Sequence, residues 1–342
     1  MSHGPIVVFG ASGHTGRFII RELRRRGRAI VLAGRDAGAL RELAGKESSG
    51  PRADVRVASA EDAVSLDGAL AGAAAVINCA GPFVDTAAPV AEAALRAGIH
   101  YLDVSAEQAV TLGTFERYAA CARERGVVVA PSMGFYGALG DLLATAALGD
   151  WSAADEVRLG IALDGWRPTR GTRRTVQRNA GRHVVLTNGR FEPFPSAPRE
   201  ETWAFAPPLG EQQVRELATA DQVTIARHLR VPEVRVYMTL APLRDLRDPD
   251  TPPPVAADAS GRSAQTFLVE AVVRCGDEER RASAAGRDIY AVTAPIVVEA
   301  VTRLLDGRVA GGRPAGAFAA GELFDAADFF RSLSPDPLTL KL

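Results

Sequence analysis

Ile6-Val7-Val8-Phe9-Gly10-Ala11-Ser12-Gly13-His14-Thr15-Gly16 is the stretch whose reading decides the fold. An apolar run breaks into three evenly spaced glycines, and Arg17 to Arg26 then carries Phe18, Ile19, Ile20 and Leu23 on one helical side. The pattern reads as strand, glycine turn, helix. Gly10 lets the chain turn sharply off the strand, Gly13 leaves bare backbone where a pyrophosphate approaches, and Gly16 lets the helix pack closely on the sheet. The helix start adds unpaired N–H groups and a positive dipole end. Glycine-rich turns are common, and it is the position between a strand and a helix at the start of a βαβ unit that makes this one a dinucleotide site. Gly10, Ser12, Gly13, His14, Thr15 and Gly16 are therefore cofactor-binding candidates. His14 either donates to a phosphate or covers the adenosine.

Outward from this turn, Ala29 to Gly34 forms the second strand and ends at Arg35. An NAD-binding chain usually carries an acid here for the ribose 2′-hydroxyl. A carboxylate would repel a 2′-phosphate, whereas a guanidinium can hold one through paired N–H bonds, so NADP(H) is preferred over NAD(H). Arg35 as one more surface arginine is the bland alternative. Asp36 suits the N-cap of the next helix, residues 37–44. After a third strand at Val55 to Ala58, Glu61 and Asp62 fall where adenine contacts are often made, and either serves equally well as a helix cap. A fourth strand, Ala73 to Asn78, ends in Cys79-Ala80-Gly81-Pro82-Phe83, a tight ledge where open α/β sheets bind ligands. The ledge is expected to run under the nicotinamide ribose and pyrophosphate.

A helix at Ala87 to Ala97, a fifth strand at His100 to Ser105, a helix at Glu107 to Arg125 and a sixth strand at Val127 to Ala130 complete an alternation that implies a parallel, doubly wound, Rossmann-type sheet. A helix from Leu139 to Leu148 closes this domain, residues 1–150. From Trp151 the texture changes to β-type runs, Val157 to Ala162, Val234 to Met238, Thr266 to Val273 and a return through Ala282 to Ile289, with a Pro-rich segment at Phe191 to Pro208. Residues 151–289 read as a second α+β domain on an antiparallel or mixed sheet. Residues 290–342 bring an apolar helix, Ala291 to Leu305, back onto the first domain, with a tail that wraps the surface.

Composition narrows the function classes. Forty basic and forty-one acidic residues leave a net charge of −1, so nothing favours nucleic acid or an anionic membrane. With Lys46 and Lys341 the only lysines, a Tyr-x-x-x-Lys relay or a Schiff base has almost no candidate, and none of the five tyrosines is followed by lysine at i+4, which disfavours an extended short-chain dehydrogenase. Cys79, Cys121 and Cys275 lack metal-ligand spacing and suit a reducing compartment. No H-E-x-x-H pair supports a metal, and no signal sequence or membrane-spanning run of about eighteen apolar residues is seen. A soluble cytoplasmic protein is the expectation.

With Gly10 to Gly16, Ala33-Gly34-Arg35-Asp36, Asn78 to Phe83 and Tyr101-Leu102-Asp103-Val104-Ser105-Ala106-Glu107 in view, the chain resembles the saccharopine dehydrogenase-like family. It is most similar to the short bacterial members related to trans-acting enoyl reductases. The likeness is specific over residues 5–140. It is thinner beyond, where Arg170-Gly171-Thr172 stands at that family's Gly-Gly-Thr helix start and Gly286-Arg287-Asp288-Ile289-Tyr290 with Thr293-Ala294 matches its closing pattern. The resemblance implies an NADP-binding Rossmann domain and a mixed α/β domain that lines the substrate cleft and often makes the dimer. Members reduce imines or enoyl thioesters, so fold and cofactor outrun chemistry.

Hydride transfer requires nicotinamide and substrate to be held face to face and one proton to be managed. Cys79, Ala80, Gly81 and Pro82 would fix one side of the cofactor, with Cys79 most economically a small core residue. Tyr136, at a strand end beside a Gly-flanked turn, is the candidate proton donor, with packing between the domains as the alternative. Asp103 is the second catalytic candidate, or else an anchor for the turn after its strand. Ser105 and Glu107 fall where substrate sits. Arg170 and Arg174 share a helix face with Arg178, and with Thr172 they are candidates to hold a substrate carboxylate or a pantetheine phosphate; a solvated face is the competing reading. The function expected is NADPH-dependent reduction of a C=N or conjugated C=C bond in a small acidic or carrier-bound metabolite. The rival is a non-catalytic NADP(H) sensor. A homodimer formed through exposed edges of the second sheet is also expected.

Overall fold

The computed structural model describes residues 4–45, 53–179, 181–312 and 315–342. In chain order the first domain contains β1 (Ile6–Phe9), α1 (His14–Arg25), β2 (Ile30–Gly34), α2 (Ala37–Gly45), β3 (Asp54–Val57), α3 (Ala63–Leu70), β4 (Ala75–Asn78), α4 (Phe83–Ala97), β5 (His100–Asp103), α5 (Gln108–Arg125), β6 (Val128–Ala130) and α6 (Ala138–Leu148). The strands β1, β2, β4 and β6 are short, wholly buried runs, as a sheet covered by helices on both faces requires. The helices α4 and α5 stop at Gly98 and Gly126, both left-handed, where the glycine costs no Cβ clash.

All pairs in this sheet are parallel, in the order β3-β2-β1-β4-β5-β6. Chain order reverses between β1 and β4, the switch point at which such sheets bind ligands. The sequence pattern missed a seventh strand, β15 (Gly316–Ala317), which pairs with β6. A two-residue strand made of glycine and alanine has no periodicity to betray it.

The second sheet holds β7 (Glu156–Leu163), β8 (Val184–Thr187), β9 (Arg190–Pro193), β10 (Glu200–Ala204), β11 (Glu211–Leu217), β12 (Glu233–Thr239), β13 (Thr266–Cys275), β14 (Glu278–Arg287) and β16 (Leu338–Lys341). It is mixed: β12 and β7 run parallel, and their other neighbours are antiparallel. The helices α7 (Arg170–Arg178), α8 (Ala220–His228) and α9 (Leu240–Arg247) connect its strands, while α10 (Thr293–Leu305), α11 (Ala320–Leu323) and α12 (Ala326–Arg331) follow β14.

Three features differ from the sequence reading. The Pro-rich stretch contributes β9 and β10, because its prolines lie at strand ends and edges where no ladder N–H is lost. The tail does not merely wrap the surface: β15 joins the first sheet and β16 pairs with β14. The helix α6 lies against β13 and β14 of the second sheet, which is why nearly all of it is buried. One continuous core runs from Ile6, Ile19 and Leu142 to Val157, Val236 and Ile296, so the two sheets share their interior. As expected, α10 packs along α1, where Glu299 pairs with Arg26 and accepts from Arg303 Nε at 2.6 Å.

Candidate active site

A cleft of about 1650 Å³ opens outside the carboxyl ends of β1, β2 and β4, with second-domain residues forming its opposite wall. Gly10, Ser12, Gly13, His14, Thr15, Arg35, Cys79, Ala80, Gly81 and Pro82 all line it. Gly10 has φ +85°, and a Cβ there would lie 2.8 Å from the Ala80 nitrogen, so the turn and the ledge touch through bare backbone. Gly13 precedes α1 with no side-chain cap, and the first turn of α1 holds no acid. Its N–H groups are left for an anion, which fits a diphosphate. Gly16 does not line the cleft. A Cβ at Gly16 would come within 2.6 Å of the Gly10 carbonyl, so its role is close packing of helix on turn.

Arg35 is exposed where the cleft meets the end of β2, without a partner among the described residues. Asp62 takes the capping role: Oδ1 accepts from the Val64 and Ser65 N–H groups at 3.0 and 3.3 Å. Its neighbour Glu61 lines the cleft instead, because the cap turns Asp62 back toward its own helix. The Cys79 thiol donates to the Phe9 carbonyl at 3.0 Å, and burial pushes its pKa up to about 12, so it is an unreactive core group.

Three of the expected chemistry-bearing residues have structural tasks. Asp103 is fully buried and does not line the cleft. Its carboxylate accepts from Ser105 N at 3.0 Å, Ser132 N at 2.8 Å and the Tyr101 hydroxyl at 2.9 Å. Burial raises its pKa to about 6 even though these donors favour the charged form. This corrects the catalytic assignment, since a carboxylate pointing into the turn it anchors cannot meet substrate. Ser105 is likewise buried, accepting from Glu107 N at 3.0 Å, and is corrected for the same reason. Glu107 lines the cleft, yet its oxygens accept from Phe83 N at 2.7 Å, Val84 N at 3.0 Å and Thr175 Oγ1 at 3.3 Å. It caps α4 and ties the ledge to α7, so three donors from the protein hold its carboxylate in place.

Tyr136 lines the cleft, with its hydroxyl buried and without a hydrogen-bond partner among the described residues. Burial, with Tyr290 and Asp221 nearby, pushes its pKa well above the usual phenol value. His14 Nε2 is also buried and unpartnered, and burial lowers the imidazole pKa.

Beyond the first domain, Trp166 was signalled by no sequence motif, whereas Tyr290 ends the closing pattern Gly286-Arg287-Asp288-Ile289-Tyr290. The Tyr290 hydroxyl joins Trp166 Nε1 at 3.0 Å, Thr169 N at 3.2 Å and Thr172 Oγ1 at 3.0 Å, fixing the start of α7 beside the His14 ring. Thr172 is thereby held within the protein rather than free for substrate. The closing pattern around Asp288 was the available signal: its carboxylate accepts from the Ser263, Tyr290 and Ala291 N–H groups, setting the turn that presents Tyr290. On α7, Arg178 pairs with Asp85 at 2.5 Å and Arg173 donates to the Asp248 and Thr251 carbonyls. Arg170 and Arg174 are exposed, line the cleft and have no partner among the described residues.

Together, these features define a dinucleotide-binding cleft closed by a mixed-sheet domain. Residues 6–129 match the family described as the saccharopine dehydrogenase NADP binding domain. Over those residues the chain is similar to the saccharopine dehydrogenase-like proteins, and the matched domain is described as one that binds NADP. A Caenorhabditis elegans lipid droplet localized protein is 34% identical over 40% of this chain and 34% of its own length. A mouse saccharopine dehydrogenase-like oxidoreductase is 30% identical over 38% of this chain and 34% of its own length. A Mycobacterium bovis trans-acting enoyl reductase is 28% identical over 38% and 32%. The matched region thus spans about a third of these relatives. Across the whole chain the fold is that of the apo saccharopine dehydrogenase (L-Glu forming) of Saccharomyces cerevisiae, with a TM-score of 0.67, 12% identity and 99% of both chains covered. Among the described residues, no helix is long and apolar enough to cross a membrane and no cluster of His, Cys, Asp or Glu could hold a metal ion.

Proposed function

We propose that the protein is an NADPH-dependent reductase of a C=N or conjugated C=C bond in an acidic or carrier-bound metabolite. The observation that carries this reading is the pairing of an uncapped glycine cradle with an unpartnered, buried Tyr136 hydroxyl in one cleft. NADPH supplies the hydride, and the chain supplies position, a dry wall and hydrogen-bond donors. The turn and α1 start hold the diphosphate, Arg35 takes the 2′-phosphate, and Ala80-Gly81-Pro82 supports the nicotinamide ribose. Arg170 and Arg174 hold a carboxylate or phosphate of the substrate. The experiment is NADPH oxidation against a panel of cyclic imines and enoyl thioesters, alongside titration of NADPH binding. Tight binding with no turnover across the panel supports the sensor instead. The exposed strands β10 and β16 at the ends of the second sheet favour a homodimer, and sedimentation as a monomer at high concentration contradicts that.

A further inference from the structure

We propose that α7 is a lid over the cleft, latched to the first domain by Arg178 and Thr175, and that NADP(H) enters and leaves by its opening. The inference rests on the reading of this cleft as the NADP(H) site and adds how that site is reached. No residue of α7 is buried, all nine line the cleft, and its one apolar side chain, Val176, is 47% exposed. A helix that buries no apolar face owes its position to polar contacts, and such an element opens locally at far lower cost than the fold as a whole.

The two ends of α7 are held differently. At its start, Thr172 Oγ1 meets the Tyr290 hydroxyl at 3.0 Å and Arg173 donates to the Asp248 and Thr251 carbonyls. Toward its end the contacts are with the first domain: Thr175 Oγ1 donates to Glu107 at 3.3 Å, and Arg178 pairs with Asp85 at 2.5 Å. Both side chains of that ion pair are about half exposed, at 58% and 46%, which makes the latch weak. The chain is anchored again at Val184, whose N–H and carbonyl pair with the Gln108 side chain at 2.9 and 3.0 Å. Between α7 and that anchor, Gly181 takes φ +75° with open space where a Cβ would lie, as a hinge requires.

The helix spans the distance between the glycine turn and the ledge. Its start is fixed by Tyr290, whose ring meets that of His14 edge-on at 5.2 Å. Its middle stands on the ledge, where a Cβ on Gly81 would lie 3.5 Å from Thr175 Oγ1. A methyl group on Gly81 would already touch α7, so a nicotinamide ring has no passage between them there. Parting the two domains instead would break the core that their sheets share and separate α6 from β13 and β14. Lifting the end of α7 breaks one exposed ion pair and one hydroxyl bond.

The test is stopped-flow binding and release of NADPH, followed by energy transfer from tryptophan to the nicotinamide, in the parent protein, Asp85→Asn, Arg178→Gln and the double variant. A latch predicts that each single substitution speeds both entry and release about two- to fivefold, the range of an exposed ion pair. The double variant should be no faster than either single one, and Arg178→Lys, which keeps the charge, should restore most of the parent rate. Side chains acting on the anionic cofactor through their charge alone would move release in opposite senses, Asp85→Asn slowing it and Arg178→Gln speeding it. That result, or rates indifferent to every substitution, overturns the lid alone. Failure of the parent protein to bind NADPH overturns the cofactor reading itself.

Discussion

Replacing Glu107 with alanine tests how the Ala80-Gly81-Pro82 ledge is held. The side chain is 3% exposed and receives the first two N–H groups of α4, Phe83 at 2.7 Å and Val84 at 3.0 Å, with the Thr175 hydroxyl at 3.3 Å. A hydrogen bond to a charged group contributes about 1.5–3 kcal/mol, and a donor left buried without one costs a similar amount. Two orphaned N–H groups therefore predict a loss of about 3–4 kcal/mol after partial rescue by entering water. Glu107→Gln keeps one acceptor oxygen but turns an amide N–H₂ toward a donor, so about half that loss is expected. The assay is urea unfolding monitored by tryptophan fluorescence, where the midpoint should fall while the slope stays constant. Because Ala80-Gly81-Pro82 leads directly into this helix, NADPH binding should weaken in the same order, alanine worse than glutamine. An alanine variant destabilised by under about 1 kcal/mol at constant slope refutes the capping argument, since a buried carboxylate holding two N–H groups cannot be removed so cheaply.

Arg35→Ala should weaken NADPH about tenfold or more and leave NADH nearly unchanged, read by parallel fluorescence titrations; equal losses show that Arg35 does not read the 2′-phosphate. Gly10→Ala places a methyl group 2.8 Å from the Ala80 nitrogen at φ +85°, so a destabilised protein with no measurable NADPH affinity is expected, and normal binding refutes the cradle. Asp103 carries a folded-state pKa of about 6 against an unfolded value of 3.8. The folded state therefore binds more protons between those values, and stability is full below about pH 4 and falls as pH rises through about 6, by about 3 kcal/mol in all. Asp221, raised to about 6 by the same burial, adds to that slope. Asp103→Asn should flatten its share, and an unchanged slope contradicts the assignment.

The sequence by itself determined the six alternating strands of the first sheet, the glycine turn after β1 and the arginine at the end of β2. Each is local: a buried strand is a short apolar run, and a glycine turn works through backbone within a few residues of itself. The same locality explains why α10 was legible as an apolar helix, and why β15, two small residues added to a sheet edge, was not. Asp103, Ser105 and Glu107 looked like chemistry because an acid or hydroxyl at a strand end is equally suited to substrate or to backbone N–H groups. Only the tertiary structure decided between them, by bringing Ser132, Phe83 and Thr175 to their oxygens. It also decided that Trp166 and Tyr290, 124 residues apart, meet beside His14, and that the hydroxyl of the cleft-lining Tyr136 is buried without a partner among the described residues. Which polar atoms are satisfied is a property of the whole packed chain, not of any local stretch of sequence.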